Sequence, residues 1–234
     1  MLKEDEQFER YTAVLKAMDG KPVNFRLLDI GSDKSLSFLD MPREENPSLG
    51  CRGARFLLER PDLLKTQARA LARASLHGPV NVMYPMITDI EQFRKLKNMF
   101  NEAIADLAGG EINHGLMFEV VSAALQAREI LKIADFGSIG SNDLIQYLFA
   151  VDRDNERVAY DYDPNRDVFW SLIGEIARAA SEMGKPLSIC GELAGEPKYI
   201  PKLIELGMRI VSVSPRLIPK VRMAAKQSLG AKKE

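Results

Sequence analysis

Short apolar runs alternate along this chain with longer stretches whose apolar positions recur every three to four residues. The apolar runs fall at 23–30, 80–86, 115–120, 135–140, 186–190 and 210–214. Each is apolar on both parities, as expected of strands covered on both faces. Between them, 63–76, 90–107, 122–133, 168–183 and 199–206 carry helical periodicity with few breakers. Further helices are expected over 5–18 and from about 216 to 229. Regular alternation of strand and helix predicts a parallel sheet with right-handed crossovers. Two architectures satisfy that pattern, a (β/α) barrel and a doubly wound sheet.

The placement of polar residues separates them. No Gly-x-Gly-x-x-Gly follows the first run, against a dinucleotide-binding sheet. Polar and chemically capable residues instead follow the apolar runs: Asp29, Asp33 and Lys34; Glu119; Asn142 and Asp143; Cys190 and Glu192. In a (β/α) barrel of the TIM type, C-terminal strand ends converge on one face and build the site. A TIM-type barrel is therefore the predicted fold. Only about six of its eight strands are found here, so the barrel is expected to be incomplete, as one domain over residues 1–234.

Composition limits the function. With 46% hydrophobic and 28% charged residues the chain can bury a core, and its net charge of -1 gives no general affinity for nucleic acid or an anionic membrane. No apolar run approaches the roughly 20 residues needed to span a bilayer. The charged, helix-prone start does not read as a signal peptide. The two cysteines, Cys51 and Cys190, lack metal-ligand spacing, and reduced thiols in a cytoplasmic protein are expected.

Several residues could carry chemistry. Glu119 follows the run Gly-Leu-Met-Phe. It reads either as a charge complementing the dipole of the next helix or as a ligand to a cation. Asp143, after Ser141 and Asn142, would complete a carboxylate pair of the kind Mg²⁺ accepts alongside substrate oxygens and water. Plain N-capping is the other reading of Ser141, Asn142 and Asp143. Arg26 interrupts an apolar run and would pair with Asp29 or a neighbouring acid; Arg52, Arg55 and Arg153 are further guanidiniums suited to phosphate or carboxylate. Cys190 ends a strand, where a thiol with pKa about 8.5 would stay protonated and could donate to a carbanion-like carbon. Cys51 is read as structural.

Taken in order, RLLDIGSDK (26–34), EENPSLG (44–50), YPM (84–86), DFGSIGSNDLIQY (135–147), AVDRDNE (150–156) and CGELAG (190–195) resemble the C-terminal domain of the Enzyme I family. These are the phosphoenolpyruvate–protein phosphotransferases of bacterial sugar transport, within the wider group of phosphoenolpyruvate-utilising enzymes. The resemblance runs from about residue 5 to 222. It implies that Arg26 and Arg52 hold the phosphate, that Asn142 and Arg153 hold phosphate and carboxylate oxygens, and that Glu119 and Asp143 bind Mg²⁺. Cys190 would protonate C3 of the enolate to give pyruvate, and Arg73 matches a further arginine of that site. A homodimer is also implied. Where the family has a glycine, a tryptophan and a proline, this chain has Ser32, Cys51 and Val121.

The family's phosphohistidine lies in an N-terminal domain within a Thr-Ser-His stretch. His77 and His114 do not match it and read as loop residues. The expected partners are thus that phosphohistidine domain, with the first barrel strands, and a histidine phosphocarrier protein. Two other functions fit less well. A phosphoenolpyruvate-sensing module would not need the thiol, and a lyase or aldolase acting on pyruvate enolate would not need the RLLDIGSDK segment.

Overall fold

A computed structural model describes residues 3–31, 42 and 44–230. Asp33 and Lys34, with Ser32, lie outside the described residues. The chain divides into two compact units, Met1–Leu116 and Met117–Glu234.

The first unit runs α1 (Glu4–Ala17), β1 (Val23–Arg26), α2 (Ala54–Glu59), α3 (Pro61–Ala74), β2 (Val80–Tyr84), α4 (Ile90–Ala103) and most of β3 (Ile112–Phe118). β1 pairs with β2 from Val23↔Val80 to Arg26↔Met83, and β2 with β3 from Val80↔Ile112 to Tyr84↔Leu116, all parallel. α1 and α4 both pack on α3. The core holds Leu15, Leu57, Leu64, Leu71, Phe93, Leu96 and Phe100 around Tyr84.

The second unit holds the end of β3, then α5 (Val121–Leu125), α6 (Ala127–Leu131), β4 (Phe136–Gly140), α7 (Ser141–Leu148), α8 (Asp167–Glu182), β5 (Leu187–Cys190), α9 (Glu192–Gly195), α10 (Ile200–Glu205), β6 (Ile210–Val211) and α11 (Ile218–Gly230). β4 pairs with β5 from Gly137↔Leu187, and β5 with β6 from Ser188↔Ile210, again parallel. α8 lies on α6, and α11 on α10. Both units order their strands as in the chain. Among the described residues the protein is an α/β fold with six parallel strands, at the six positions the apolar runs mark.

Local departures have physical causes. β1 stops at Arg26 rather than at residue 30 because Gln67, not a strand, serves the backbone beyond it. Its Oε1 accepts from Leu28 N at 3.0 Å, and its Nε2 reaches Tyr11 Oη at 3.1 Å. The expected helix over 122–133 breaks at Gln126, whose amide donates to Ser122 O at 2.9 Å and leaves two five-residue helices. α2, at six residues, is too short to register as periodicity. His114 is no loop residue. It lies inside β3, buried, with Nδ1 3.0 Å from Tyr84 Oη and its ring edge-on to Phe100.

Candidate functional site

The first unit gathers a guanidinium pair on one buried carboxylate. Arg26 ends β1, and Asp29 follows three residues later. The Asp29 side chain is 2% exposed, Arg52 11% and Arg26 45%. Arg52 approaches as a fork, Nη2 to Oδ2 at 3.0 Å and Nε to Oδ1 at 3.4 Å. Arg26 Nη1 stands 3.6 Å from the same Oδ2. A carboxylate this dry is tolerated because it is paired and hydrogen-bonded. The salt bridge read for Arg26 is present, and Arg52 is its stronger partner.

Backbone geometry brings these groups together. Gly53 has φ +54°, and a Cβ there would stand 2.6 Å from Met86 Cβ and 3.1 Å from Asp29 Oδ1. Glycine alone satisfies both the left-handed backbone and the close approach. Met86 itself has φ 54°. A bulky residue in this region, just past a strand end, is the kind of strain found at ligand sites.

Arg73 is not brought to this cluster. It lies in the last turn of α3, just before the turn that leads into the start of β2, whereas Arg26 ends β1. There it bonds Glu4 at 2.8 Å and Asp5 at 2.7 Å and covers the Phe8 ring at 4.3 Å. Its sequence match marks a residue that fastens α1 to α3. Cys51 likewise serves structure. Its Sγ donates to Glu59 Oε2 at 3.2 Å, and burial with the Glu59 hydrogen bond pushes the thiol up to about 11.

The second unit builds a denser arrangement from β3, β4, β5 and α7. Glu119 directly follows β3 and is 1% exposed. A Cβ on Gly140 would come within 2.7 Å of Glu119 Oε2 and 2.9 Å of Met117 Sδ, so a glycine at the end of β4 makes room for this carboxylate. α7 then begins with Ser141, Asn142 and Asp143. N-capping does not describe them. The cap is Gly140, with no side-chain cap bond. Ser141 Oγ instead donates to Cys190 O at 2.7 Å, and Asn142 Oδ1 accepts from Glu192 N at 3.0 Å.

These two bonds staple the Cys190–Gly191–Glu192 turn onto the start of α7. Gly191, at φ +94°, is forced by the same closeness: a Cβ there would overlap Ser141 Oγ and lie 2.7 Å from Asn142 Oδ1. With its oxygen accepting from Glu192 N, Asn142 retains an NH₂ donor. The first backbone N–H groups of α7 have no partner within their own helix, the property by which helix N-termini receive anions. Cys190, half-buried at the end of β5, has Sγ 3.5 Å from Ile139 O.

The sequence that builds this site matches a known family. The model of the PEP-utilising enzyme, PEP-binding domain, covers residues 1–229. The chain belongs to that family. Similar curated proteins are the phosphoenolpyruvate-protein phosphotransferases of Bacillus sp. (strain S), 46% identical over 234 residues, of Geobacillus stearothermophilus, 45% identical over 234 residues, and of Streptococcus equinus, 43% identical over 232 residues. Each match spans 96% of this chain and 40% of the relative. The chain thus spans about 40% of the length of these relatives.

Solved structures agree on the fold alone. A Haloferax volcanii malate synthase, with magnesium and glyoxylate, aligns with TM-score 0.61 at 16% identity, over 94% of this chain and 61% of that one. A citrate lyase from Burkholderia xenovorans LB400 aligns with TM-score 0.54 at 16% identity, over 74% and 59%.

Within this PEP-binding domain, two residues escaped the sequence reading. Tyr162 donates to Asn142 O at 3.2 Å. Burial pushes its phenol up to about 12 against the pull of Arg153, with Glu192 and Asp143 adding to the rise. Gln146 accepts from Arg153 N at 3.2 Å through its buried side chain. A cleft of about 210 Å³ lies beside them, lined by Asn142, Tyr162, Glu192, Lys198 and Tyr199 among others. Both contacts join α7 to the irregular segment after it, where no periodicity signals a partner.

Of the two acids expected to hold a metal, Glu119 follows β3 and Asp143 lies in the first turn of α7. Among the described residues no group of three or more His, Cys, Asp or Glu could hold one. A two-carboxylate set suits an oxygen-seeking ion that completes its shell with substrate and water. No described helix is long and apolar enough to cross a membrane.

Proposed function

We propose that this chain is the phosphoenolpyruvate- and Mg²⁺-binding portion of a phosphoenolpyruvate–protein phosphotransferase of the cytoplasm. The observation that carries the reading is the stapled pair of strand ends, which holds a thiol donor, an oriented amide and a helix start together. Arg26 and Arg52 would bind phosphate oxygens, for which their planar forks are suited. Asn142 Nδ2 and Arg153 would hold phosphate and carboxylate oxygens. Arg73, tied to Glu4 and Asp5, is left out of the set. Glu119 and Asp143 would hold Mg²⁺, which when bound neutralises charge on the transferring phosphoryl group.

The reaction moves the phosphoryl group from the enol oxygen of phosphoenolpyruvate to an imidazole nitrogen. The P–O bond breaks, the P–N bond forms and pyruvate enolate remains. Cys190 then gives its proton to C3, yielding pyruvate and a thiolate that is reprotonated from solvent. Neither histidine of this chain suits the acceptor role: His114 is buried against Tyr84, and His77 precedes the start of β2, whereas Arg26 stands at the end of β1. The acceptor would belong to a separate phosphohistidine domain, which passes the phosphoryl group to a histidine phosphocarrier protein. The six strands would form part of an eight-stranded (β/α) barrel, and the assembled enzyme would be a homodimer.

A sensing module without turnover is disfavoured by the thiol at the strand end, and a lyase by the naming of the relatives. Isotope exchange between labelled pyruvate and phosphoenolpyruvate, with an added phosphohistidine domain, tests the proposal. Exchange is expected only with that domain present, and its absence under all conditions would refute the proposed turnover. Cys190→Ala should leave phosphoenolpyruvate affinity within about twofold and slow exchange by roughly 10² or more, since general acids act on rate. Weakened binding with unchanged exchange would make Cys190 a packing residue.

A further inference from the structure

Resting on the reading that Arg26 and Arg52 receive the phosphate, we propose that Gln67 is a positioning residue for that pair. Its side chain ends β1 at the point where Arg26 and Asp29 can close on each other. Alternate groups of β1 face β2: Val23 N donates to Pro79 O at 3.1 Å and Leu27 N to Met83 O at 2.9 Å. Arg26 O and Leu28 N fall on the other parity and face the opposite edge. There Gln67, from α3, takes both. Its Oε1 accepts from Leu28 N at 3.0 Å, and its Nε2 donates to Arg26 O at 3.4 Å. A residue on a neighbouring parallel strand would make the same two bonds with its own C=O and N–H. One side-chain amide thus stands in for one strand residue and carries the pairing no further.

That stop matters for the site. Along a strand, residues three apart point to opposite faces and stand about 10 Å apart. Arg26 and Asp29 could not pair if β1 ran on to residue 30. With the backbone held at Arg26 and Leu28, the chain leaves the strand direction, and Asp29 Oδ2 comes within 3.6 Å of Arg26 Nη1. The same oxygen receives Arg52 Nη2 at 3.0 Å. Gln67 is itself fixed. It is buried, and its Nε2 also donates to Tyr11 Oη at 3.1 Å, which donates in turn to Gln7 Oε1 at 3.0 Å. Turning the amide over would set an NH₂ against Leu28 N–H, donor to donor. Gln67 acts on the anion through the backbone of Arg26 and the placement of Asp29, not by contact.

Gln67→Met keeps the side-chain length and removes both polar ends. In ligand-free protein, ¹⁵N relaxation of Arg52 Nε should show its order parameter falling below about 0.6, the flexible range, as Asp29 loses its place. Phosphoenolpyruvate affinity in MgCl₂, measured where thermal melts show the variant folded, should be about tenfold weaker. A packing role for Gln67 would lower the melting temperature and move neither reading. An unchanged Arg52 Nε signal, or affinity within about twofold of wild type, would overturn the proposal. If Gln67→Met does not fold, Tyr11→Phe, which removes only the brace on the amide, should loosen Arg52 Nε and weaken affinity about threefold. No change in Arg52 Nε there would overturn the proposal equally. Failure of the wild-type protein to bind phosphoenolpyruvate would sink the functional reading instead, and the relaxation measurement would still decide whether Gln67 positions the cluster.

Discussion

Glu119→Gln is expected to weaken the Mg²⁺-dependent part of phosphoenolpyruvate binding about 100-fold. The carboxylate is 1% exposed and follows the apolar Met117 and Phe118 at the end of β3. Holding a charge there is costly unless a cation or donors answer it. Glutamine keeps the size and one oxygen but removes the charge that a divalent ion requires. Loss of one of two protein carboxylates should weaken metal-supported binding about 100-fold, or about 2.7 kcal/mol. The competing role for Glu119 is a charge near the start of α5, worth only about 0.3–1 kcal/mol to stability. Thermal melts and calorimetry separate the two. Lower stability with unchanged Mg²⁺ dependence would assign Glu119 to the helix.

Arg52→Ala should cost both stability and affinity, and the two losses should be separable. Asp29 is 2% exposed and depends on the Arg52 fork at 3.0 and 3.4 Å, with Arg26 more distant at 3.6 Å. Removing one partner of a buried pair typically costs about 3–5 kcal/mol, because the other charge is left dry. Arg26 remains to answer part of that charge, so about 3 kcal/mol is expected. Adding Asp29→Asn should restore most of the stability, since the stranded charge is gone. It should not restore phosphoenolpyruvate binding, which needs the guanidinium. Arg52→Lys should behave similarly for binding, because an ammonium cannot make the bidentate contact. Recovery of affinity in the Asp29→Asn double variant would show that Arg52 serves only the fold.

Much of this architecture was legible in the chain, for physical reasons specific to each part. The six strands announce themselves because parallel strands covered on both faces leave short runs apolar on both parities. The same signal overshoots at β1, where Leu27, Leu28 and Ile30 prolong the apolar run although Gln67, 39 residues from Leu28, takes over the backbone bond. His114 was misread because a polar residue beside glycine looks like a turn, while its burial depends on Tyr84 thirty residues away. Ser141 and Asn142 carry the composition of an N-cap, yet their side chains reach a turn about 50 residues on. Arg73, which the resemblance adds to the site, lies in the last turn of α3, where Glu4 and Asp5 take its guanidinium. Tyr162 had no signal, since it meets its partner from an irregular segment. Glycines were the informative markers: Gly53, Gly140 and Gly191 each stand where a Cβ would strike a site residue.

Phosphoenolpyruvate and Mg²⁺ are expected to bind together, the ion taking few protein oxygens and needing substrate to complete its shell. Titration calorimetry of the protein with phosphoenolpyruvate, in MgCl₂ and again with excess chelator, tests it directly. Affinity should fall at least tenfold in chelator. Equal affinity in both, or no binding in either, would contradict the account.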